Sequence, residues 1–176
     1  MLPLWGEEIG DTDLSNCFEW PTQAVFKMMD PSVKLTSIEF KFNRIAETIS
    51  SVKCNYSNEQ SSPVFENDNH SHSSNDTVVF EDVKAVTRVQ AGSDNRQNAV
   101  WKEQARYLQY QRVRYLKFLD QYGSLVGEYN PMCRSDPEQE RILGQNEELY
   151  GVYGVKDKQQ WLSSFGFIVK ISREVP

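Results

Sequence analysis

The sequence is short of the residues from which most catalytic and metal sites are built. It has 176 residues, yet only three cysteines and two histidines. Cys17, Cys54 and Cys133 are far apart and odd in number. No Cys-x-x-Cys pair exists, which excludes a zinc knuckle and a thioredoxin-type redox pair. The cysteines read as reduced, partly buried thiols of an intracellular protein. Basic charge is also scarce: 19 Lys and Arg stand against 25 Asp and Glu, giving a formal net charge of −6. A general nucleic-acid binder needs a basic stripe for phosphates, so that class is excluded. Apolar runs are only a few residues long, too short for a membrane-spanning helix, so no membrane insertion is expected. The segment from Met1 to Ile9 carries two acids and no base, unlike a signal or transit peptide. A cytoplasmic or cytoskeletal location follows as an expectation.

Motifs of catalysis are missing too. There is no nucleophile elbow, no phosphate-cradling loop before a helix and no HExxH helix. Asp136, Glu138 and Glu140 fall in a charged run of the kind that is usually solvated. His70 and His72 sit in a Ser/Asn tract, and two histidines there fall short of the several positioned ligands a metal needs. The reading is therefore of a protein that is not an enzyme and carries no cofactor and no metal. Sequons at Asn55 and Asn75 read as chance matches.

What the chain does have is short β-type runs punctuated by turn residues. At 39% apolar and 12% aromatic it can bury a core. Ile38–Phe42 alternates cleanly, and Ile49–Tyr56 puts Val52, Cys54 and Tyr56 on one face, so the two predict an antiparallel hairpin. Asp30-Pro31-Ser32 predicts a turn. Pro63–Phe65 reads as a short strand, Glu66–Asp76 as a polar loop, and Val83–Gln90 as a strand ending at Ala91-Gly92. Around Ala24, Val25 and Phe26 either a short strand or a helical turn fits. In Phe165–Ile171, Phe165, Phe167, Val169 and Ile171 alternate with Gly166, Ile168 and Lys170, which predicts a strand with one buried face. Gly123, Gly127, Gly151 and Gly154 read as turn glycines. Between Ser93 and Gln111 the spacing of Trp101, Ala105 and Leu108 is helical, so 95–111 reads as a polar insertion, either a short helix or a long excursion between strands. Turn signals recurring at roughly 8–12 residues give an all-β fold: sandwich, barrel or prism.

The block from Arg112 to Ile171 resembles the jacalin-related lectin family. Val113–Phe118 followed by Tyr122–Gly127 is similar to one phrase of that family, and Glu148–Gly154 followed by Trp161–Gly166 to its closing hairpin. Upstream, Ile38–Phe42, Ile49–Tyr56 and Val83–Gly92 fit in order, and Leu4–Gly6 with Gly10 is similar to its glycine-rich opening. The resemblance implies a β-prism of three antiparallel Greek-key sheets. It implies a single domain over 21–176, with 1–20 either an N-terminal arm or part of the prism.

The resemblance also implies where a sugar would sit: on backbone groups of the opening loop, at Gly6 and Gly10, and on a closing loop from Gly154 through Asp157, Gln160 and Trp161 to Ser163. A polyhydroxylated ligand needs a charged acceptor and backbone donors that approach closely, and glycine permits that approach. Here Ser163 stands where the family has its hydroxyl-binding aspartate. Glu7 and Ile9 replace family glycines, and the closing loop is longer than the family's. Asp157 can serve as the acceptor if that loop folds back. Two readings follow. One is a non-catalytic module that has lost its sugar site and docks to other proteins of a larger assembly, with a cytoskeletal or ciliary assembly as a guess. Trp101, Arg106, Tyr107 and Tyr110, residue types enriched at interface hot spots, are its candidate contacts, although Trp101 and Leu108 can equally cover the protein's own core. The other is a working carbohydrate-binding lectin using the Gly154–Ser163 and Gly6–Gly10 loops.

Overall fold

The computed structural model describes residues 17–43, 48–66, 75–93, 108–110, 113–130, 139–156 and 162–171. Among the described residues, twelve strands pair into three four-stranded antiparallel sheets.

The first sheet orders β1 (Cys17–Trp20), β11 (Glu147–Lys156), β12 (Leu162–Ile171) and β7 (Leu108–Tyr110). The second orders β4 (Phe65–Glu66), β3 (Thr48–Tyr56), β2 (Leu35–Asn43) and β5 (Asn75–Phe80). The third orders β10 (Gln139–Ile142), β6 (Arg88–Ser93), β8 (Val113–Leu119) and β9 (Leu125–Tyr129). The expected hairpin is present as β2 against β3, with Phe40 opposite Val52 and Ile38 opposite Cys54.

The inner faces of the three sheets meet along a chain of aromatic rings. Phe40 of β2 lies 5.3 Å from Phe80 of β5 and 5.7 Å from Phe165 of β12. Phe80 contacts Phe118 of β8 at 4.7 Å, and Phe118 contacts Phe167 of β12 at 5.5 Å. All five rings are buried, and edge-to-face aromatic pairs of this kind add about 0.5–1.5 kcal/mol each beyond area burial. The rings lie at alternate positions of their strands, so period-2 patterning alone carries them to one axis.

Of the strand and helical turn that fit around Ala24–Phe26, the structure has the helix, α1 (Gln23–Met28), capped by Thr22, whose hydroxyl accepts the Val25 amide at 3.2 Å. Several other expectations change. Val83–Gln90 is not one strand. Val83–Ala85 is a 3₁₀ turn that buries Val83 and Val86 three residues apart, and β6 begins only at Arg88. Asp82, with φ +55°, breaks any extended path into Val83. The loop expected over Glu66–Asp76 is strand at both ends, since Glu66 belongs to β4 and Asn75-Asp76 to β5. Leu108–Tyr110 is strand rather than helix: pairing with the edge of β12, Tyr110 opposite Phe165 and Leu108 opposite Phe167, overrides the helical spacing. Trp101 and Ala105 lie outside the described residues.

Strand β12 is buried on both faces from Phe165 to Lys170, not on one. The segment after α1 accounts for the second face at Lys170, whose ammonium donates to the Pro31 carbonyl at 2.9 Å. Of the four supposed turn glycines only Gly123, with φ +80°, sits in a turn. Gly127, Gly151 and Gly154 lie within strands. A Cβ at Gly127 would stand 2.9 Å from the Phe80 ring, and one at Gly151 would collide with the Trp20 carbonyl oxygen. These two glycines let other groups lie directly on the sheet.

Candidate functional site

The prism-like body has two unlike ends. At one end the chain turns back tightly: Asp120–Ser124 joins β8 to β9, Leu143–Asn146 joins β10 to β11, and the 3₁₀ turn leads into β6. At the other end lie the start of β1 at Cys17, the end of β11 at Lys156 and the start of β12 at Leu162.

The expected ligand residues that are described gather there. One transverse row crosses the first sheet as Phe18, Gly154, Phe165 and Tyr110, each opposite the next. Ser163 falls between Leu162, opposite Lys156, and Ser164, opposite Val155, so it is the extra residue of a β-bulge. Bulges bend a strand and re-aim side chains, and they recur beside functional sites. Thus Gly154, Ser163 and Tyr110 share one end of one sheet. Gly6, Gly10, Asp157, Gln160, Trp161, Trp101, Arg106 and Tyr107 lie outside the described residues, as do His70 and His72.

Sequence reasoning missed a polar contact at this same end. The Tyr129 hydroxyl donates to Asp76 Oδ2 at 3.1 Å, and the Tyr129 ring stacks on Phe42 at 4.0 Å. It ties the third sheet to the second. Asp76 closes the polar Glu66–Asp76 stretch, so nothing in the pattern singles it out.

At the tight-turn end an open groove of about 660 Å³ runs between Lys34, the 3₁₀ turn and the two strand turns. No position in it carries a motif, because its walls come from four separate stretches of chain.

The groups with displaced pKa values serve packing. Burial pushes the Cys54 thiol up to about 12, against a lowering by hydrogen bonds with Tyr56 and Ser62. Burial also raises Tyr56, whose hydroxyl donates to the Tyr150 carbonyl at 2.7 Å. Tyr150 is raised by burial and then by the nearby Glu148 carboxylate. Asp30 is lowered by the Ser32 amide and hydroxyl that it accepts. No cluster of three or more metal-type side chains occurs among the described residues.

No family model matches the sequence, and no curated protein matches it. Solved structures do. The agglutinin of Calystegia sepium is 10% identical with a TM-score of 0.53, over 97% of this chain and 95% of that one. A prostate-specific glycoprotein lectin, WGA16, is 12% identical with a TM-score of 0.51, over 82% of this chain and 87% of that one. The fold is the jacalin-like β-prism. Three four-stranded antiparallel sheets around one aromatic axis are the architecture the resemblance implied. At such low identity the likeness is one of fold, and the chemistry of this prism has to be argued from its own residues.

Proposed function

We propose that the protein is a non-catalytic jacalin-like module that docks to other proteins of an intracellular assembly through the loop end of its prism. The observation that carries this reading is Ser163. The resemblance aligns it with the family's sugar-binding aspartate, and it is the bulge residue between the pairs Val155–Ser164 and Lys156–Leu162, at the same end of the first sheet as Gly154. A hydroxyl is shorter than a carboxylate and uncharged, and it makes weaker hydrogen bonds to sugar hydroxyls. Cys54, a buried free thiol, is consistent with a reducing compartment. Tyr110 lies on the same end and supplies a residue type common in protein interfaces.

The second reading is carbohydrate recognition at the same end. It is favoured by the structures the chain resembles, which are named as an agglutinin and a lectin. Asp157 then replaces the missing carboxylate. Glycan-array binding separates the two. The docking reading expects no retention that a free monosaccharide can compete away. Competable binding that disappears in Asp157→Ala establishes the lectin reading instead.

A further inference from the structure

No residue within the helix α1 is buried. At six residues it is well below the roughly 12–15 at which a helix is even marginal in water on its own. Its place on the prism therefore depends on the contacts made beneath it and at its end. Those contacts converge on Tyr150.

Tyr150 is the extra residue of a bulge in β11, between Leu149, opposite Val169, and Gly151, opposite Ile168. It is 1% exposed. Phe26 of α1 meets the ring edge-on at 5.7 Å, and the Tyr56 ring lies 5.6 Å away. The Tyr150 hydroxyl donates to Met29 Sδ at 3.9 Å, its one partner among the described residues. A thioether is a weak acceptor. A buried phenol thus rests on a single soft and oxidisable atom.

Met29 is also the C-cap of α1. Its amide donates to the Val25 carbonyl at 3.1 Å and to the Phe26 carbonyl at 3.2 Å. The sulfur on Tyr150 and the amide that closes the helix belong to the same residue. Met29 packs against the core without being fully buried, so a small oxidant can reach it. Its neighbour Met28 is 87% exposed, and gaining an oxygen there disturbs no packing.

We propose that Met29 is an oxidation-sensitive catch, and that a hydroperoxide acting on its thioether frees α1 from the first sheet. The step transfers one oxygen atom. The peroxide O–O bond breaks and an S–O bond forms. The sulfur is oxidised by two electrons to the sulfoxide, and hydrogen peroxide is reduced to water. The sulfoxide oxygen takes more than one donor, and the Tyr150 hydroxyl offers one. The rest of the surroundings is apolar core, so the oxidised side chain is better satisfied in water. Moving there, it takes the last turn of α1 with it. Tyr150 lies towards the start of β11, away from the loop end, so this proposal and the docking reading can fail separately.

Hydrogen exchange of residues 22–30, read by mass spectrometry on the full chain before and after hydrogen peroxide, tests it. In a Met28→Leu background Met29 is expected to gain one oxygen in the native protein. Exchange across the stretch is then expected to quicken by about tenfold, the scale of one sulfur–aromatic contact. A methionine sulfoxide reductase should restore the slow exchange. Met28→Leu with Met29→Leu, close in volume, should stay slow after peroxide. Should that variant misfold, reversal by the reductase in the unsubstituted chain gives the same reading. Native Met29 left unoxidised while Met28 is fully converted overturns the proposal. So does a Met29 sulfoxide with unchanged exchange, or equal quickening in the double-leucine variant.

Discussion

The ammonium of Lys170 stands 4.7 Å above the ring of Tyr150 while donating to the Pro31 carbonyl at 2.9 Å. Glu148, directly opposite Lys170 on β11, has a carboxylate oxygen 3.9 Å from the same nitrogen. A cation with 9% of its surface exposed is thus held by a ring face, a carbonyl and a carboxylate. The contact fastens the segment after α1 to the first sheet, and Phe26 of α1 reaches the Tyr150 ring edge-on at 5.7 Å.

Lys170→Met keeps the stem but strips the Pro31 carbonyl and the Glu148 carboxylate of their shared donor. Losing the hydrogen bond of a charged donor costs about 1.5–3 kcal/mol; Pro31 is exposed and Glu148 keeps Lys34, so the lower part of that range applies. Urea unfolding is expected to show a loss of about 2 kcal/mol on that scale, with the slope unchanged. A loss indistinguishable from zero means that the cation does not hold the segment.

Glycine positions give a ranked pair. In Gly151→Ala the new Cβ collides with the Trp20 carbonyl, which is backbone and cannot swing aside. Overpacking of this kind costs about 1–3 kcal/mol, and the upper part of that range is expected. Gly123→Ala meets nothing within 4 Å, although its φ of +80° is unfavourable for a side chain, a strain of about 1–2 kcal/mol. Paired denaturation curves should place Gly151→Ala well below Gly123→Ala. The reverse order contradicts the seating of Trp20 on β11.

Cys54 supplies the onset of the alkaline pH dependence, ahead of the raised tyrosines Tyr56 and Tyr150. Its thiol is pushed up to about 12 from 9.0, mainly by burial. The folded state therefore keeps a proton that the unfolded state releases near pH 9. Stability from this source is fully present below pH 9 and is lost as pH rises from there towards 12. Urea midpoints measured from pH 7 to 10.5 are expected to fall above pH 9, and Cys54→Ala should flatten that fall. In a Cys17→Ser, Cys133→Ser background the remaining thiol should resist a thiol reagent at pH 8 until denaturant is added. Rapid native reaction contradicts its burial.

Particular residues show what the sequence could reveal. Phe40 and Phe42 on β2, and Phe165 and Phe167 on β12, follow period-2 patterning, so hairpin and inner faces were legible. The second face of β12 was not, because Lys170 reads as solvent-facing and its burial depends on Pro31, 139 residues away. Leu108 joined a helical spacing with Trp101, and only the open edge of β12 shows it to be strand. Gly151 read as a turn because the residue that needs its missing Cβ, Trp20, comes from the opposite end of the chain. At the loop end, the order of matched phrases placed Gly154 and Ser163 at the closing hairpin, and both lie at the same end of that hairpin. The groove at the tight-turn end left no trace, since its walls come from four separate stretches of chain.

Retention on immobilised monosaccharides, read together with a glycan array, tests the proposed loss of the sugar site most directly. The proposed loss of that site expects no binding that free sugar competes away. Competable monosaccharide binding that vanishes in Asp157→Ala contradicts it and makes this prism a working lectin.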